Sequence, residues 1–240
     1  LDADTGAIWG EAVRADVTAT FIGAKLGLVT GAGPAHAGEV TLHELEAPDR
    51  AYAYMPWLAR QPDDAWLAGA LPRRRRDAHK GDHGHVLCVG GNTGMGGAAR
   101  LAAEAALRVG AGLVSVATRD GQAAAMTQAR PELMCRDVAV APDLDALLDR
   151  ATVVAIGPGL GTDDWARELL ARVLATDRPL VVDADALNLL AGGPPPSRAN
   201  WIITPHPGEA GRLLDRATAD VQADRPAAAG ALADRFGAVA

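Results

Sequence analysis

The chain has 240 residues and a net charge of −7, so nonspecific attraction to nucleic acid or to an anionic membrane surface is not expected. No apolar run approaches the ~18 residues of a membrane span. Hydrophobic residues make up 49% of the chain and aromatic residues only 4%, which calls for an aliphatic core of the kind that packs helices against a parallel sheet.

The opening, Leu1-Asp2-Ala3-Asp4-Thr5-Gly6, has no initiator Met, no basic stretch and no apolar stretch. It therefore does not read as a signal peptide. The last residues, Arg235 to Ala240, read as a helix end turning into a new strand, and both ends are expected to be cut from a longer chain. Residues 17–29 are β-prone and punctuated by glycine, and Gly38–Leu42 is a second strand candidate. From Pro48 to Lys80 the periodicity dissolves around Pro56, Pro62 and Pro72. The basic run Arg73–Arg76 reads as a solvated linker, with a phosphate-binding role for one of its arginines as the alternative. This divides the chain into residues 1–50, a lead-in at 51–78, and residues 79–240.

From His85 onward strands and helices alternate. Strands are expected at Val86–Val89, Leu113–Ala117, Val153–Ile156, Leu180–Val182 and Trp201–Ile203. Helices are expected at Ala98–Val109, Leu144–Asp149, Asp163–Ala175, Ala186–Leu190, Glu209–Leu214 and Ala227–Phe236. The stretch between Ala117 and Leu144 shows no regular pattern. The alternation predicts βαβ units, a mostly parallel sheet and right-handed crossovers. Cys88 lies in an aliphatic strand pattern. With Cys135 it makes neither a disulfide framework nor a zinc spacing, which fits a reducing, cytoplasmic setting.

Ligands of open parallel sheets bind outside the carboxyl ends of the strands, so the residues after each strand carry the functional reading. Five of the eight residues from Gly90 to Gly97 are glycine. Glycines let a backbone approach a ligand closely, and the helix start that follows offers free N–H groups to an anion. Gly91, Asn92 and Gly97 are candidates here. A loose G-x-G-x-x-A match over Gly94, Gly96 and Ala99 is too common to name a dinucleotide, and Asp120 is only loosely placed as the acidic partner it would need. Gly157-Pro158-Gly159-Leu160-Gly161-Thr162 repeats the strand, glycine loop, helix order, with Thr162 as the expected N-cap. In Asp183-Ala184-Asp185-Ala186-Leu187-Asn188, Asp183 is placed to face magnesium or a substrate hydroxyl. Asp185 reads as an N-cap, and Asn188 as a ligand donor or a turn residue. In Thr204-Pro205-His206-Pro207-Gly208-Glu209, the flanking prolines stiffen His206, and Glu209 suits the positive end of a helix. Upstream, His79-Lys80-Gly81-Asp82-His83-Gly84-His85 offers Lys80 as a phosphate partner, against the plainer reading of a solvated approach to the first strand.

These segments occur in the order found in the NAD(P)H-hydrate dehydratases, and the chain resembles that family over about residues 72–214. Residues 2–6, 20–28 and 38–39 resemble the end of the partner NAD(P)H-hydrate epimerase domain, in the order of the bacterial bifunctional repair enzymes. The resemblance implies a ribokinase-like fold and a lyase that restores NADH or NADPH from the hydrated forms at the expense of ADP or ATP, with Mg²⁺ on the phosphates. It implies substrate contacts at Ala98, Gly159 and His206, and a K⁺ site in the epimerase part. A homo-oligomer is also expected. The family carries a Gly-Thr-Gly-Asp motif whose Asp is the catalytic base. That motif is absent from these 240 residues, so the chain alone is expected to lack dehydratase activity. A small-molecule kinase of the same fold, a Rossmann oxidoreductase and a non-catalytic nucleotide-binding module are the rival readings.

Overall fold

A computed structural model describes residues 1–53, 58–71, 73–196 and 198–240. Pro56 and Pro72, two of the prolines expected to break the periodicity, lie outside the described residues. The chain forms two compact units, one of residues 1–75 with 219–228 and one of residues 76–218 with 229–240.

The first unit holds a two-stranded parallel sheet. β1 (Val17–Phe21) pairs with β2 (Glu39–His43), Val17 opposite Glu39 and Phe21 opposite His43. Only the front of the β-prone stretch 17–29 is a strand. Ile22 turns the chain with φ +68, and Leu26–Leu28 is a short 3-10 helix. Helices α1 (Gly33–His36), α2 (Asp49–Ala53) and α3 (Asp64–Ala70) complete the N-terminal part. The start of α3 is fixed by the Asp63 carboxylate, which accepts from Trp66 N at 2.7 Å. Val17, Phe21, Val40 and Leu42 of the sheet are exposed.

The second unit is built on six parallel strands: β3 (His85–Val89), β4 (Leu113–Thr118), β5 (Met134–Asp137), β6 (Val153–Ile156), β7 (Leu180–Val182) and β8 (Trp201–Ile203). Their order is β5-β4-β3-β6-β7-β8. Leu87, Val89, Val114, Val116, Val154, Ile156, Val182 and Ile203 are all buried, as aliphatic strands covered on both faces require. Its helices are α4 (Gly96–Val109), α5 (Ala123–Ala129), α6 (Asp145–Leu148), α7 (Asp164–Leu174), α8 (Ala184–Leu190) and α9 (Pro207–Leu214). Of the two that follow, α10 (Thr218–Ala223) belongs to the first unit but for Thr218, and α11 (Arg225–Phe236) contributes residues 225–228 to the first unit and the rest to the second. Small residues let α4 sit close to the sheet: Ala99 and Ala103 pack with Cys88, Val114, Val116 and Met126. The helix stops at Gly110, whose φ of +110 lets its N–H return to the carbonyls of Ala106 and Leu107.

The structure departs from the sequence expectation at several points. The stretch between Ala117 and Leu144 is regular, containing α5 and the edge strand β5. The start of α5 is capped from outside the helix: Asp137 Oδ1 accepts from Gln122 N at 3.2 Å and Ala123 N at 2.9 Å. α4 begins two residues before Ala98. The stretch at 144–149 is a 3-10 turn, Ala141–Leu144, running into α6. α10 has no counterpart among the expected helices. The N-cap of α7 is Asp163, not Thr162; its carboxylate accepts from Ala166 N at 3.0 Å. Asp185 does not cap α8 either, because the cap position is Asp183. At the chain end Val239 pairs in parallel with Ile202, with Ile203 N to Val239 O at 2.8 Å and Val239 N to Trp201 O at 3.1 Å.

Candidate nucleotide site at the carboxyl edge

The strand order makes β3 the point where the connections diverge. β4 and β5 lie on one side of β3, and β6, β7 and β8 on the other. A crevice opens at such a switch point, outside the carboxyl ends of the strands. The loops that meet there are the two glycine-rich segments.

Backbone hydrogen bonds join these loops. Gly91 N donates to Pro158 O at 3.2 Å and Asn92 N to Gly159 O at 2.6 Å. The buried Asn92 amide extends the seam. Its Nδ2 donates to Leu160 O at 3.1 Å and to Asp163 Oδ2 at 3.2 Å, while its Oδ1 accepts from Thr93 N. Gly91 O is held by Thr118 Oγ1 at 2.7 Å and Arg119 N at 3.3 Å. Gly161 N donates to Asp185 Oδ2 at 2.8 Å. Gly91, Asn92 and Gly161 therefore use these groups on each other and on the framework. They shape the wall rather than offering the same groups to a ligand.

The glycines of the site divide into two kinds. A side chain on Gly157 would overlap the Asp183 carbonyl, and one on Gly90 the Pro158 carbonyl. At Gly159, with φ +62, a Cβ would come within 2.6 Å of Met95 O and 3.2 Å of Ala98 Cβ. Gly159 and Ala98, two expected substrate contacts, are thus neighbours. A Cβ added at Gly94 or Gly97 would meet nothing within 4 Å, so the space before them is open. Gly96 and Gly97 stand at the start of α4, where N–H groups lack intrahelical partners, and Ala98 is exposed beside them.

The loops after β7 and β8 follow along the same carboxyl edge. Asp183 follows β7 and gives α8 no side-chain cap. Ala184 beside it has φ +48, a conformation that is sparsely populated for residues with a Cβ and is found at sites where the surrounding structure enforces it. Asn188 Oδ1 accepts from Arg212 Nε at 2.9 Å. His206 is the N-cap of α9. Its Nδ1 accepts from Gly208 N at 2.9 Å and Glu209 N at 3.1 Å. These bonds assign the ring proton to Nε2, which lies 3.5 Å from Glu209 Oε1. Glu209 is buried and its Oε2 accepts from His206 N at 2.9 Å. Glu209 thus completes a capping box and holds the His206 backbone. At the usual strand spacing, the β8 loop lies roughly 10 Å along the edge from the β6 loop.

Lys80 does not join this cluster. It belongs to the 3-10 turn Lys80–His83 that precedes β3, and its carbonyl lies against Gly112, just before β4. That is the amino edge of the sheet, one strand length or about 16 Å away. The structure thus sets Lys80, expected as a phosphate partner, at the edge opposite the glycine seam. Asp120 is exposed in the turn after β4. Among the described residues no group of three or more His, Cys, Asp or Glu side chains could hold a metal ion. No helix among them is long and apolar enough to cross a membrane.

Sequence reasoning passes over Arg119. It follows β4, and its guanidinium lies 4.9 Å from the centre of the Trp165 ring, with Nη1 3.5 Å from Asp163 Oδ2. Burial works against ionisation of Asp163, but the Ala166 N–H, the Asn92 amide, Arg119 and Arg167 together hold its carboxyl below the ordinary value. An arginine after a strand is not a motif. Its setting depends on a tryptophan 46 positions further along the chain.

Two glycine loops joined at the switch point of a parallel sheet, with a histidine-capped helix after the last strand of the same edge, define an α/β domain of the doubly wound class. The family model for NAD(P)H-hydrate dehydratase matches residues 86–240, and the chain belongs to that family. It is 50% identical over 236 residues to the bifunctional NAD(P)H-hydrate repair enzyme of Coxiella burnetii, covering 98% of this chain and 48% of that one. To the enzyme of the same name from Escherichia coli it is 43% identical over 246 residues, covering 100% and 46%. The chain spans about half the length of these curated relatives. Among solved structures it resembles the ADP/ATP-dependent NAD(P)H-hydrate dehydratase of Bacillus subtilis, co-crystallised with ATP/Mg²⁺. That match has a TM-score of 0.65 and 30% identity, over 73% of this chain and 63% of that one. A ribokinase-like superfamily protein from Enterococcus faecalis matches with a TM-score of 0.59 and 29% identity, over 69% and 59%. The fold is ribokinase-like, as the family resemblance implied.

Proposed function

We propose that this chain carries the substrate wall of an NAD(P)H-hydrate dehydratase, which returns hydrated NADH or NADPH to the intact cofactor at the expense of ADP or ATP. The observation that supports this reading is the seam between the Gly90–Gly97 and Gly157–Gly161 loops at the β3/β6 crevice, with Ala98 and Gly159 side by side. In this reading Ala98 and Gly159 meet one side of the hydrated nicotinamide and the Nε2–H of His206 donates from the other. Gly97 admits the ligand to the start of α4. Gly91, Asn92 and Gly161 hold the wall, Glu209 holds His206, and Asp183 and Asn188 face the nucleotide.

The chemistry replaces a poor leaving group with a better one. The ring hydroxyl takes the terminal phosphoryl group of the nucleotide, releasing AMP from ADP. The C–O bond then breaks, phosphate departs with a ring proton lost to solvent, and the ring double bond is restored. Mg²⁺ belongs to this reading as a phosphate-bound ion, since magnesium is commonly held through substrate phosphates with few protein carboxylates. The base is the Asp of a Gly-Thr-Gly-Asp motif that these 240 residues do not contain, so the chain by itself binds without turning over. Residues 1–50 are read as the end of an epimerase domain with its K⁺ site, residues 51–78 as the lead-in and residues 79–240 as the dehydratase part, in a cytoplasmic homo-oligomer.

Two measurements on the purified chain test this. Calorimetric titration with NAD⁺ or NADP⁺ is expected to show saturable binding that His206→Ala weakens; no binding sinks the substrate-wall reading. Incubation with hydrated NADH, ADP and Mg²⁺ is expected to yield no NADH. ADP-dependent recovery of NADH would refute the assignment of the base to the missing motif.

A further inference from the structure

We propose that Arg119 is the phosphate-binding cation of this site, carried on the face of Trp165 and passed from Asp163 to a phosphoryl group of the bound nucleotide. The inference rests on the nucleotide-site reading and adds a residue to it.

The chain is acidic, and Asp163, Asp183, Asp185 and Glu209 all lie along the carboxyl edge of the sheet. A polyanionic ligand there needs a positive counterpart. Arg167 is engaged with Thr162 O at 2.5 Å and lies 3.7 Å from Asp164. Arg212 donates its Nε to Asn188. Arg119 is held differently. The Trp165 ring lies beneath its guanidinium, and the Trp165 indole N–H is itself anchored on Val138 O at 2.9 Å. Stacking orients a guanidinium without neutralising its charge.

The ion pair of Arg119 is a loose one. Its 3.5 Å contact with Asp163 compares with 2.6 Å for Arg100 on Glu104, and with a two-pronged pair between Arg172 and Asp145. Asp163 also has partners besides Arg119, since it caps α7 through Ala166 N and accepts from Asn92. Releasing the arginine therefore leaves no unpartnered carboxylate. A side chain with five N–H donors, set by an aromatic face and lightly tethered, is suited to exchange a carboxylate for a phosphate.

Position supports the same assignment. Arg119 and Asn92 meet on one oxygen of Asp163, and Asn92 belongs to the glycine seam. Gln122, whose N–H bonds Arg119 O at 3.2 Å, lies against Gly96 at the start of α4. The cation and the open helix start thus border the same part of the crevice, on the β4 side.

The test is calorimetric titration of the wild-type chain, Arg119→Ala and Arg119→Lys with NADP⁺, NAD⁺, ADP and phosphate-free adenosine. Arg119→Ala is expected to weaken phosphate-bearing ligands about tenfold or more, with adenosine unchanged and Arg119→Lys in between. Loss with NADP⁺ and NAD⁺ but not ADP assigns the phosphate to the dinucleotide; loss with ADP alone assigns it to the co-substrate. Equal weakening of adenosine, or unchanged affinity for every ligand, overturns the inference while leaving the substrate-wall reading standing. Failure of the wild-type chain to bind any of the four overturns both.

Discussion

At the amino edge of the six-stranded sheet, His85 and Ser115 share a buried hydrogen bond, Nε2 to Oγ at 2.8 Å. The His85 N–H donates to Thr152 Oγ1 at 2.9 Å, and Thr152 N returns to His85 O. At the carboxyl edge, backbone bonds also tie neighbouring loops together, yet Gly94, Gly97 and Ala98 face open space, and Arg119 is only loosely paired. Both edges use polar links to connect strands that are far apart in sequence. The amino-edge links close on themselves and serve stability. The carboxyl edge is tight beneath and open above, which is what a preformed ligand wall requires.

The sharpest way to break this contrast is to disturb the tight layer. Gly157 has φ +127, and a methyl group there would overlap the Asp183 carbonyl and press on Ala186 Cβ at 3.1 Å. Backbone strain and overpacking each cost about 1–3 kcal/mol. Gly157→Ala is therefore expected to lose about 2–6 kcal/mol, read as a lower urea midpoint or as failure to fold cooperatively. A midpoint equal to that of wild type would show that the β6 and β7 loops are not locked together.

Much of this arrangement is legible in the sequence. Buried aliphatic strands announce themselves as runs such as Val86–Val89 and Val153–Ile156, and glycine loops after strands mark the ligand edge. The omissions have physical causes. β5, reading Met134-Cys135-Arg136-Asp137, is an edge strand with mostly exposed residues and no hydrophobic run. α5 takes its cap from Asp137, fourteen positions beyond Ala123, so no local signal marks its start. Thr162 and Asp163 are adjacent and both suited to capping, and only the Ala166 N–H contact decides between them. Asp185 finds its partner at Gly161, twenty-four positions away, where local capping rules do not reach. Lys80 looks functional because its motif is polar and glycine-rich, but its position before β3 sets it at the other edge.

The amino edge gives the next effect in size. His85→Ala removes a buried ring and leaves Ser115 without its partner, at a cost of about 2–3 kcal/mol, with nucleotide affinity unchanged. Loss of affinity in proportion to loss of stability would merge the two edges into one functional unit. The same residue sets a pH dependence. Burial, reinforced by the Arg150 charge, lowers the His85 pKa from its ordinary 6.5. Above pH 6.5 the ring is neutral in both folded and unfolded chains, and its contribution is fully present. As pH falls below 6.5 the unfolded chain takes up the proton first, so stability drops until the folded ring protonates too. Urea midpoints measured from pH 7.5 down to 5 should fall less steeply for His85→Asn than for wild type. Identical slopes would remove His85 as the source.

The smallest effect on stability belongs to Gly97, and it has the opposite sign. Gly97 lies within the first turn of α4, its φ is not positive, and nothing stands within 4 Å of an added Cβ. Neither turn geometry nor packing requires glycine, and glycine in a helix is disfavoured relative to alanine by about 0.5–1 kcal/mol. Gly97→Ala is therefore expected to raise the urea midpoint by an amount in that range, or less at this terminal position. The same methyl group occupies the open space where a ligand approaches the α4 start, so NADP⁺ affinity should fall. Stability up and affinity down in one variant separates the open layer of the carboxyl edge from the tight one. A variant that gains stability and binds NADP⁺ as well as wild type would place the ligand away from α4 and restrict the wall to the Gly157–Gly161 side.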